Sequence, residues 1–322
     1  VKLFSIFLYR PPYHLKKGCS FLKMAERLHF EDQITKNKIK SLILIGVIFI
    51  IFLIIGYVVA KVINPSYFFI IMIFSIIFSL FYVLISYYNA DKIALASVNA
   101  KPASRTEHRA FYHAVENMSI SSGLPMPRVY VMESEQINAF ASGRDPKNSV
   151  ICFTTGALRK LNKHELEGVV AHEMGHILNY DIRFMTLTAV LIGMISIIAE
   201  IFLRSLWFSN SEREGKGQAI LIIIGILFAI LAPIAAQLVS LAISRKREFG
   251  ADATGVKLTR YTPGLRSALE KIKSEHLGEK DKHRYPKAVA PLFISDPFKK
   301  KIKNIFSTHP DIDERIKRLN AM

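Results

Sequence analysis

Long apolar stretches recur along the chain and predict helices that span a membrane. Residues 41–60 and 66–88 contain no charged side chain, and each is about as long as the roughly 20 residues that a lipid bilayer requires. Two further stretches, residues 184–203 and 219–243, are interrupted by a glutamate and by a proline. A re-entrant or buried helix remains an alternative for these two. The pattern predicts four transmembrane helices arranged as two hairpins.

Shorter patterns between and after these stretches predict a mixed domain. Residues 107–121 have the spacing of an amphipathic helix. Asn162 and Glu165 form a capping-box pattern, which predicts a helix from Lys163 to about Tyr180. A small sheet is predicted from three strand-like runs, residues 128–132, 137–141 and 149–154. The predicted fold class is therefore a mostly α membrane protein with a cytoplasmic α+β domain that contains a small β-sheet.

The distribution of charge predicts the orientation in the membrane. The 322 residues include 43 Lys and Arg against 26 Asp and Glu, a net charge of +17. Basic residues accumulate before the first apolar stretch and after the fourth, whereas residues 61–65 carry a single lysine. Because positive residues remain on the cytoplasmic side, both termini and residues 89–183 are predicted to be cytoplasmic, in a multi-pass protein of the cell (inner) membrane. The lipid bilayer accounts for the positive charge, and no nucleic acid is expected as a partner.

Composition excludes two other classes of protein. A chain that is 51% hydrophobic is not intrinsically disordered, and two cysteines cannot form a disulfide scaffold. Residues 1–23 are interpreted as an extension that precedes a start at Met24. The predicted organisation is a basic N-terminal segment (1–40), a first hairpin (41–88), a first part of the cytoplasmic domain (89–183), a second hairpin (184–243) and a second part of the domain (244–322).

The motif with the clearest chemistry is His172-Glu173-Met174-Gly175-His176, which lies in the predicted helix. Residues four apart share one helix face, so both imidazoles can reach one metal ion. The glutamate between them lies beside that metal and can act as general base toward a water molecule. The motif predicts a metal-dependent hydrolase.

A catalytic zinc ion needs a third protein ligand and an open position. Glu200 lies near the far end of an apolar stretch, and Asp181 follows His176 by five residues and so points off the ligand face. Glu248 lies five residues beyond the fourth stretch, at a depth similar to that of His176. Glu248 is therefore the predicted third ligand. Asp252, one turn later, is predicted to hold a ligating imidazole by a hydrogen bond.

Further segments complete a family pattern around this motif. Together with the two pairs of apolar stretches they resemble the HtpX family of membrane zinc endopeptidases, in the M48 group that also includes the CAAX prenyl proteases. The segments are FEDQITKNKIKS before the first stretch, INAFASG at 137–143, VICFTTGAL at 150–158, REFGAD at 247–252 and STHPDIDERIKRL at 307–319.

The resemblance implies a zincin-like domain with one Zn²⁺ per chain, bound by His172, His176 and Glu248. It implies that Asn138–Ala139–Phe140 forms an edge strand that pairs with an extended substrate. It further implies substrates among membrane proteins or unfolded proteins, in the quality control of misfolded or damaged membrane proteins.

The same resemblance implies that His309 and Arg315 face the cleft and stabilise an oxyanion. Each residue also has a purely structural interpretation. His309 could shape a turn before Pro310, and Arg315 could pair with Asp311.

Two other functions are compatible with the sequence. A prenyl-peptide (CAAX-type) processing protease would use the same chemistry, but it would need a large intramembrane chamber, and four spans are too few to enclose one. A non-catalytic membrane scaffold could use the metal to hold helices together, although it would have no need of the base Glu173.

Overall fold

The structure of the protein is a computed structural model, which describes residues 30–63, 65–193, 225, 245–276, 289, 292–295 and 311–322. Three sequence predictions lie outside the described residues, namely the 1–23 extension, the connection 204–218 and His309, and of the fourth apolar stretch 219–243 only residue 225 is described. The third stretch is described only as far as residue 193.

Two long apolar helices form the N-terminal part of the structure. Helix α1 (Phe30–Ile63) and helix α2 (Phe68–Tyr88) are joined by a short 3₁₀ turn. Within the described part of the chain, two segments are long and apolar enough to cross a membrane, Ile34–Ile54 of α1 and the whole of α2. Helix α1 begins well before the apolar stretch, because a helix continues into polar sequence where nothing breaks it.

Aromatic side chains hold these two helices together. The ring of Phe52 lies 5.3 Å from that of Phe78 and 5.0 Å from that of Tyr82, measured between centroids. Many large apolar side chains of α2 are nevertheless exposed, and Phe69 is 77% exposed. A face of this kind is stable in lipid and unfavourable in water. The helix pair therefore has the surface of a membrane hairpin.

The sheet has four strands in the order β1-β2-β4-β3. Strands β2 and β4 are parallel, and the two outer pairs are antiparallel. Relative to the prediction, β3 is shifted by two residues, because the 3₁₀ turn Pro146–Asn148 closes the hairpin and lets Gly143 pair with Ser149. The strands are β1 (Lys101–Pro102), β2 (Arg128–Met132), β3 (Ala139–Gly143) and β4 (Ser149–Thr154).

Eight helices besides the membrane pair are described, and the two predicted from residues 107–121 and 163–180 begin and end within two residues of those bounds. They are α3 (Ala90–Ser97), α4 (Arg109–Ser122), α5 (Thr155–Lys160), α6 (Lys163–Leu178), α7 (181–193, the described part), α8 (Arg245–Thr259), α9 (Thr262–His276) and α10 (Ile312–Leu319).

Helix α6 is the central element of this domain. Its predicted capping box is present, since Glu165 N donates to Asn162 Oδ1 at 3.0 Å and Asn162 N donates to Glu165 Oε2 at 2.8 Å. The same carboxylate accepts hydrogen bonds from Ser267 and Lys271 of α9, each at 2.6 Å. One face of α6 is buried with the sheet and α4, and another packs on α8 and α9. The capping box therefore sets the residue at which α6 begins, and the bonds to Ser267 and Lys271 hold that end of the helix against α9.

Helices α6 and α8 approach each other closely at a glycine. A Cβ on Gly255 would lie 3.1 Å from the backbone nitrogen of His172, closer than ordinary van der Waals contact. Glycine at this position allows α8 to approach α6 near the HExxH motif. The backbone of α8 is consequently near enough for its side chains to reach both histidines.

Candidate metal centre

Two histidines of α6 form one side of the site. His172 and His176 are separated by one helical turn, and their ring centroids lie 4.8 Å apart at an angle of 86°. Both are almost completely buried, at 0% and 3% exposure. Their Nε2 atoms face the same point, as the spacing of the motif predicts.

Glu248 of α8 closes the site from the opposite helix. Its Oε2 lies 3.6 Å from Nε2 of His172, and its Oε1 lies 3.7 Å from Nε2 of His176. Among the described residues these three side chains form a group whose ligand atoms all lie within 4.8 Å of one another. The structure therefore brings together the three residues predicted as ligands.

The spacing and the bonding of these atoms fit a metal ion. A tetrahedral ion with bonds of about 2.0–2.1 Å separates its ligand atoms by about 3.4 Å, close to the observed distances. Within the described part of the chain, Nε2 of His172, Oε2 of Glu248 and both carboxylate oxygens of Glu173 are buried without a hydrogen-bond partner. Buried polar atoms normally have partners, and the chemistry of these atoms fits a metal cation with a bound water.

The other nitrogen of His172 is held by a carboxylate. Nδ1 of His172 lies 2.9 Å from Oδ1 of Asp252, the contact predicted from the sequence. A hydrogen bond from Nδ1 to this oxygen leaves the lone pair of Nε2 directed at the metal position. The contact therefore fixes the tautomer that a metal ligand needs.

Arg315 of α10 is buried behind the site, with 1% exposure. Its Nε and Nη2 donate to the two carboxylate oxygens of Asp252, at 2.9 and 2.7 Å. Its Nη1 lies 3.4 Å from Oε2 of Glu248. The guanidinium thus pairs with two carboxylates of the site and not with the Asp311 carboxylate, which caps α10. Its predicted role toward an oxyanion stays a prediction.

The two glutamates of the site have opposite electrostatic environments. Burial raises the pKa of Glu173, and the nearby Glu248 carboxylate raises it further. Burial alone would also raise the pKa of Glu248, but the adjacent imidazoles and Arg315 hold it well below its usual range. Glu248 therefore stays ionised, as a metal ligand must. A raised pKa makes a carboxylate a stronger base, which suits a group that must accept a proton from water.

Asp181 was predicted not to be the third ligand, and it contacts the site in a way that the sequence did not predict. Its Oδ2 lies 3.1 Å from Nδ1 of His176, on the side of the ring away from the metal position. Helix α6 ends at Leu178, and the left-handed backbone of Tyr180 (φ +58°) turns the chain back, so that Asp181 lies beneath the second histidine. The position of an aspartate three residues after the end of the HExxH helix is the sequence signal that could have identified Asp181.

The predicted substrate strand is buried beside another segment of the chain. Asn138, Ala139 and Phe140 are at most 4% exposed. Ile294 N donates to the carbonyl of Ala139 at 3.0 Å, and Nδ2 of Asn138 donates to the carbonyl of Ser295 at 2.9 Å. Residues 293–295 therefore occupy the outer edge of β3 at this point. The pairing of this edge with a substrate stays a prediction.

Comparison with known proteins identifies the family. The sequence pattern of peptidase family M48 matches residues 105–322. The chain is 46% identical over 251 residues to a protein named Protease HtpX homolog from Thermoanaerobacter pseudethanolicus, covering 76% of this chain and 83% of that protein. It is 41% identical over 293 residues to a protein of the same name from Dictyoglomus thermophilum, covering 91% and 95%.

Among solved structures, the chain has a TM-score of 0.47 and 20% identity to Ste24p of S. mikatae, covering 89% of this chain and 66% of that one. The apolar helix pair and the buried His–His–Glu cluster, taken with the two HtpX relatives, define a membrane metalloprotease. The chain belongs to peptidase family M48 and groups there with the HtpX proteases.

Proposed function

We propose that this protein is a zinc-dependent endopeptidase that cleaves membrane proteins or unfolded proteins at the cytoplasmic face of the cell membrane. The observation that carries the proposal is the buried cluster of His172, His176 and Glu248, next to a Glu173 carboxylate without a hydrogen-bond partner in the described structure. Two imidazoles and one carboxylate are a donor set typical of catalytic zinc, which keeps its fourth position open.

The residues of the site have different roles in peptide hydrolysis. Zinc bound by the three ligands would polarise the scissile carbonyl and lower the pKa of water at the open position. Glu173 accepts a proton from the attacking water and then donates it to the leaving amine. Asp252 holds His172 in the ligating tautomer, and Arg315 holds Asp252 in place. Glu173 is thus the group that moves the proton, and the carboxylates behind the ligands keep the geometry fixed.

Substrate binding is proposed at the cleft edge of the sheet. An extended peptide would add to the outer edge of β3 along Asn138–Phe140, as peptides commonly add to sheet edges. Residues 293–295 pair with that edge in the structure, so the proposal includes their displacement by substrate. Arg315, which donates to the Ile294 carbonyl at 3.2 Å, and His309 are proposed to stabilise the oxyanion.

The position of the site supports membrane-associated substrates. Asn37, in the first candidate span, bonds to Asp181, which in turn contacts the ligand His176. The metal position is therefore only two side chains away from the membrane hairpin. Unfolded segments of membrane proteins that emerge beside the hairpin would reach it first.

The metal dependence of the proposal is directly testable. Full-length protein purified in detergent is expected to contain one zinc per chain and to cleave casein, because the three ligands form a single site. A chelator should abolish cleavage, and added Zn²⁺ should restore it. Metal content by mass spectrometry and casein cleavage are the two measurements. Cleavage that persists at full rate after the metal is removed would contradict a zinc peptidase, and a zinc-loaded protein that cleaves neither casein nor membrane proteins would favour the scaffold.

The proposed orientation makes a separate prediction. The connection 204–218 is expected on the outer side, because the strongly basic segments before the first apolar stretch and after the fourth favour the cytoplasmic side. In a variant that lacks Cys19, a cysteine that replaces Ser211 should therefore react with an impermeant reagent in intact cells. A matched cysteine at Ser121, exposed on α4 of the protease domain, should react only after lysis. The measurement is labelling before and after lysis. The reverse pattern would place the active site outside the cell.

A further inference from the structure

Asn37 is a buried polar residue in the first candidate membrane helix. It lies two turns into α1 and is 4% exposed. Its side-chain nitrogen donates to Oδ1 of Asp181 at 2.7 Å and to the backbone carbonyl of Asn179 at 2.9 Å. Both hydrogens of the amide are therefore used on the turn that follows the metal-binding helix α6.

Asp181 connects this amide to the metal centre. Its carboxylate is fully buried, with 0% exposure. Oδ1 contacts Asn37 and, at 3.1 Å, Nε of Arg247, while Oδ2 lies 3.1 Å from Nδ1 of His176. A buried carboxylate is held in one direction only through such partners. The contacts to Oδ1 therefore set the orientation in which Oδ2 meets His176.

The two ligating histidines are supported in parallel ways but from different parts of the chain. His172 is held by Asp252, which belongs to α8 and is fixed by Arg315. His176 is held by Asp181, which is fixed in part by the membrane hairpin. The membrane hairpin therefore contacts Asp181, the residue that holds His176. Two consecutive contacts, Asn37 to Asp181 and Asp181 to His176, connect the hairpin to the metal site.

We propose that Asn37 is a positioning residue for the metal ligand His176, so that docking of the first membrane helix and metal affinity are energetically coupled. Asn37 orients Asp181, Asp181 accepts a hydrogen bond from Nδ1 of His176, and Nε2 is left for the metal. Loss of such a supporting partner typically weakens metal binding about 10–100-fold. Because coupling is reciprocal, metal binding strengthens the docking of α1 by the same factor. The inference rests on the proposed function only through the metal site.

The test measures zinc affinity of the full-length protein by competition with a chromophoric chelator. Asn37→Ala and Asp181→Asn are each expected to raise the zinc Kd about 10–100-fold. Because both act through one contact, the double variant should be no weaker than Asp181→Asn alone. The matched control is Ser41→Ala, since Ser41 is buried one turn further along α1 and, among the described residues, its hydroxyl donates to the backbone carbonyl of Asn37 and not to Asp181. Its zinc Kd should equal that of the unaltered protein.

A second measurement guards against a general loss of folding. The rise in Tm on adding zinc should be smaller for Asn37→Ala than for Ser41→Ala. If Asn37→Ala does not fold, Asn37→Gln, which keeps the amide on a longer stem, should still bind zinc more weakly than the control. Equal zinc affinity in all variants, or additive losses in the double variant, would overturn the coupling. A loss of affinity in a protein without peptidase activity would refute the proposed function and leave the coupling intact, whereas an unaltered protein that binds no zinc would refute both.

Discussion

Replacing Glu173 with glutamine is expected to lower peptide cleavage by at least 10²–10⁴-fold while leaving metal binding unchanged, since general-base catalysis contributes about this much. The amide has nearly the shape of the carboxylate, so the packing of α6 is preserved. It cannot accept the proton of the attacking water. Glu173 is not among the three clustered ligands, so the zinc Kd should stay at its original value. Casein cleavage and zinc content of the purified protein check the two halves of this result.

The control for this prediction is Glu167→Gln. Glu167 lies on the same helix, six residues earlier, where it is half-buried and pairs with His164 at 3.8 Å. Its neutralisation should leave both zinc binding and cleavage unchanged. Near-normal cleavage by Glu173→Gln would show that another group serves as the base. Loss of zinc together with activity would show that Glu173 belongs to the ligand set instead.

Local sequence signals were sufficient for much of the fold. The capping box of Asn162 and Glu165 fixes the start of α6, because both hydrogen bonds are formed within four residues of each other. The 3.6-residue periodicity then places His172 and His176 on one face without any reference to tertiary structure. Glu248 could be chosen because two helices that leave the membrane side by side must reach similar depths. These predictions depend on geometry internal to one or two elements.

Contacts between distant segments were not predictable in the same way. Asp181 approaches His176 only because Tyr180 adopts a left-handed backbone, which no strong signal such as glycine announces. The outer edge of β3 looked free in the sequence, yet Ile294, more than 150 residues later, pairs with Ala139. Both features arise from tertiary packing, which a local pattern does not encode. They are also the features that extend the site beyond the HExxH motif.

Glu248→Ala is expected to lose both metal and activity, and it should be the most severe of the substitutions around the site. Glu248 is the one member of the three-residue cluster that comes from α8, and it contacts both imidazoles. Its removal takes away one of three protein bonds to the metal and the negative charge that balances the cation. Loss of a residue that only holds a ligand in place typically lowers metal affinity about 10–100-fold. Asp252→Ala should therefore be milder, with activity partly recovered by added zinc.

The comparison between these variants decides whether the correct carboxylate has been chosen. Zinc Kd should rise most for Glu248→Ala and less for Asp252→Ala and Asp181→Ala, which touch the outer nitrogens of the two histidines. Lys257→Ala, on the exposed face of α8, should not change it. If Glu248→Ala kept one zinc per chain at unchanged affinity while Asp181→Ala lost it, the third ligand would be Asp181. The metal would then lie on the Nδ1 side of His176, opposite to the point on which the Nε2 atoms of both histidines converge.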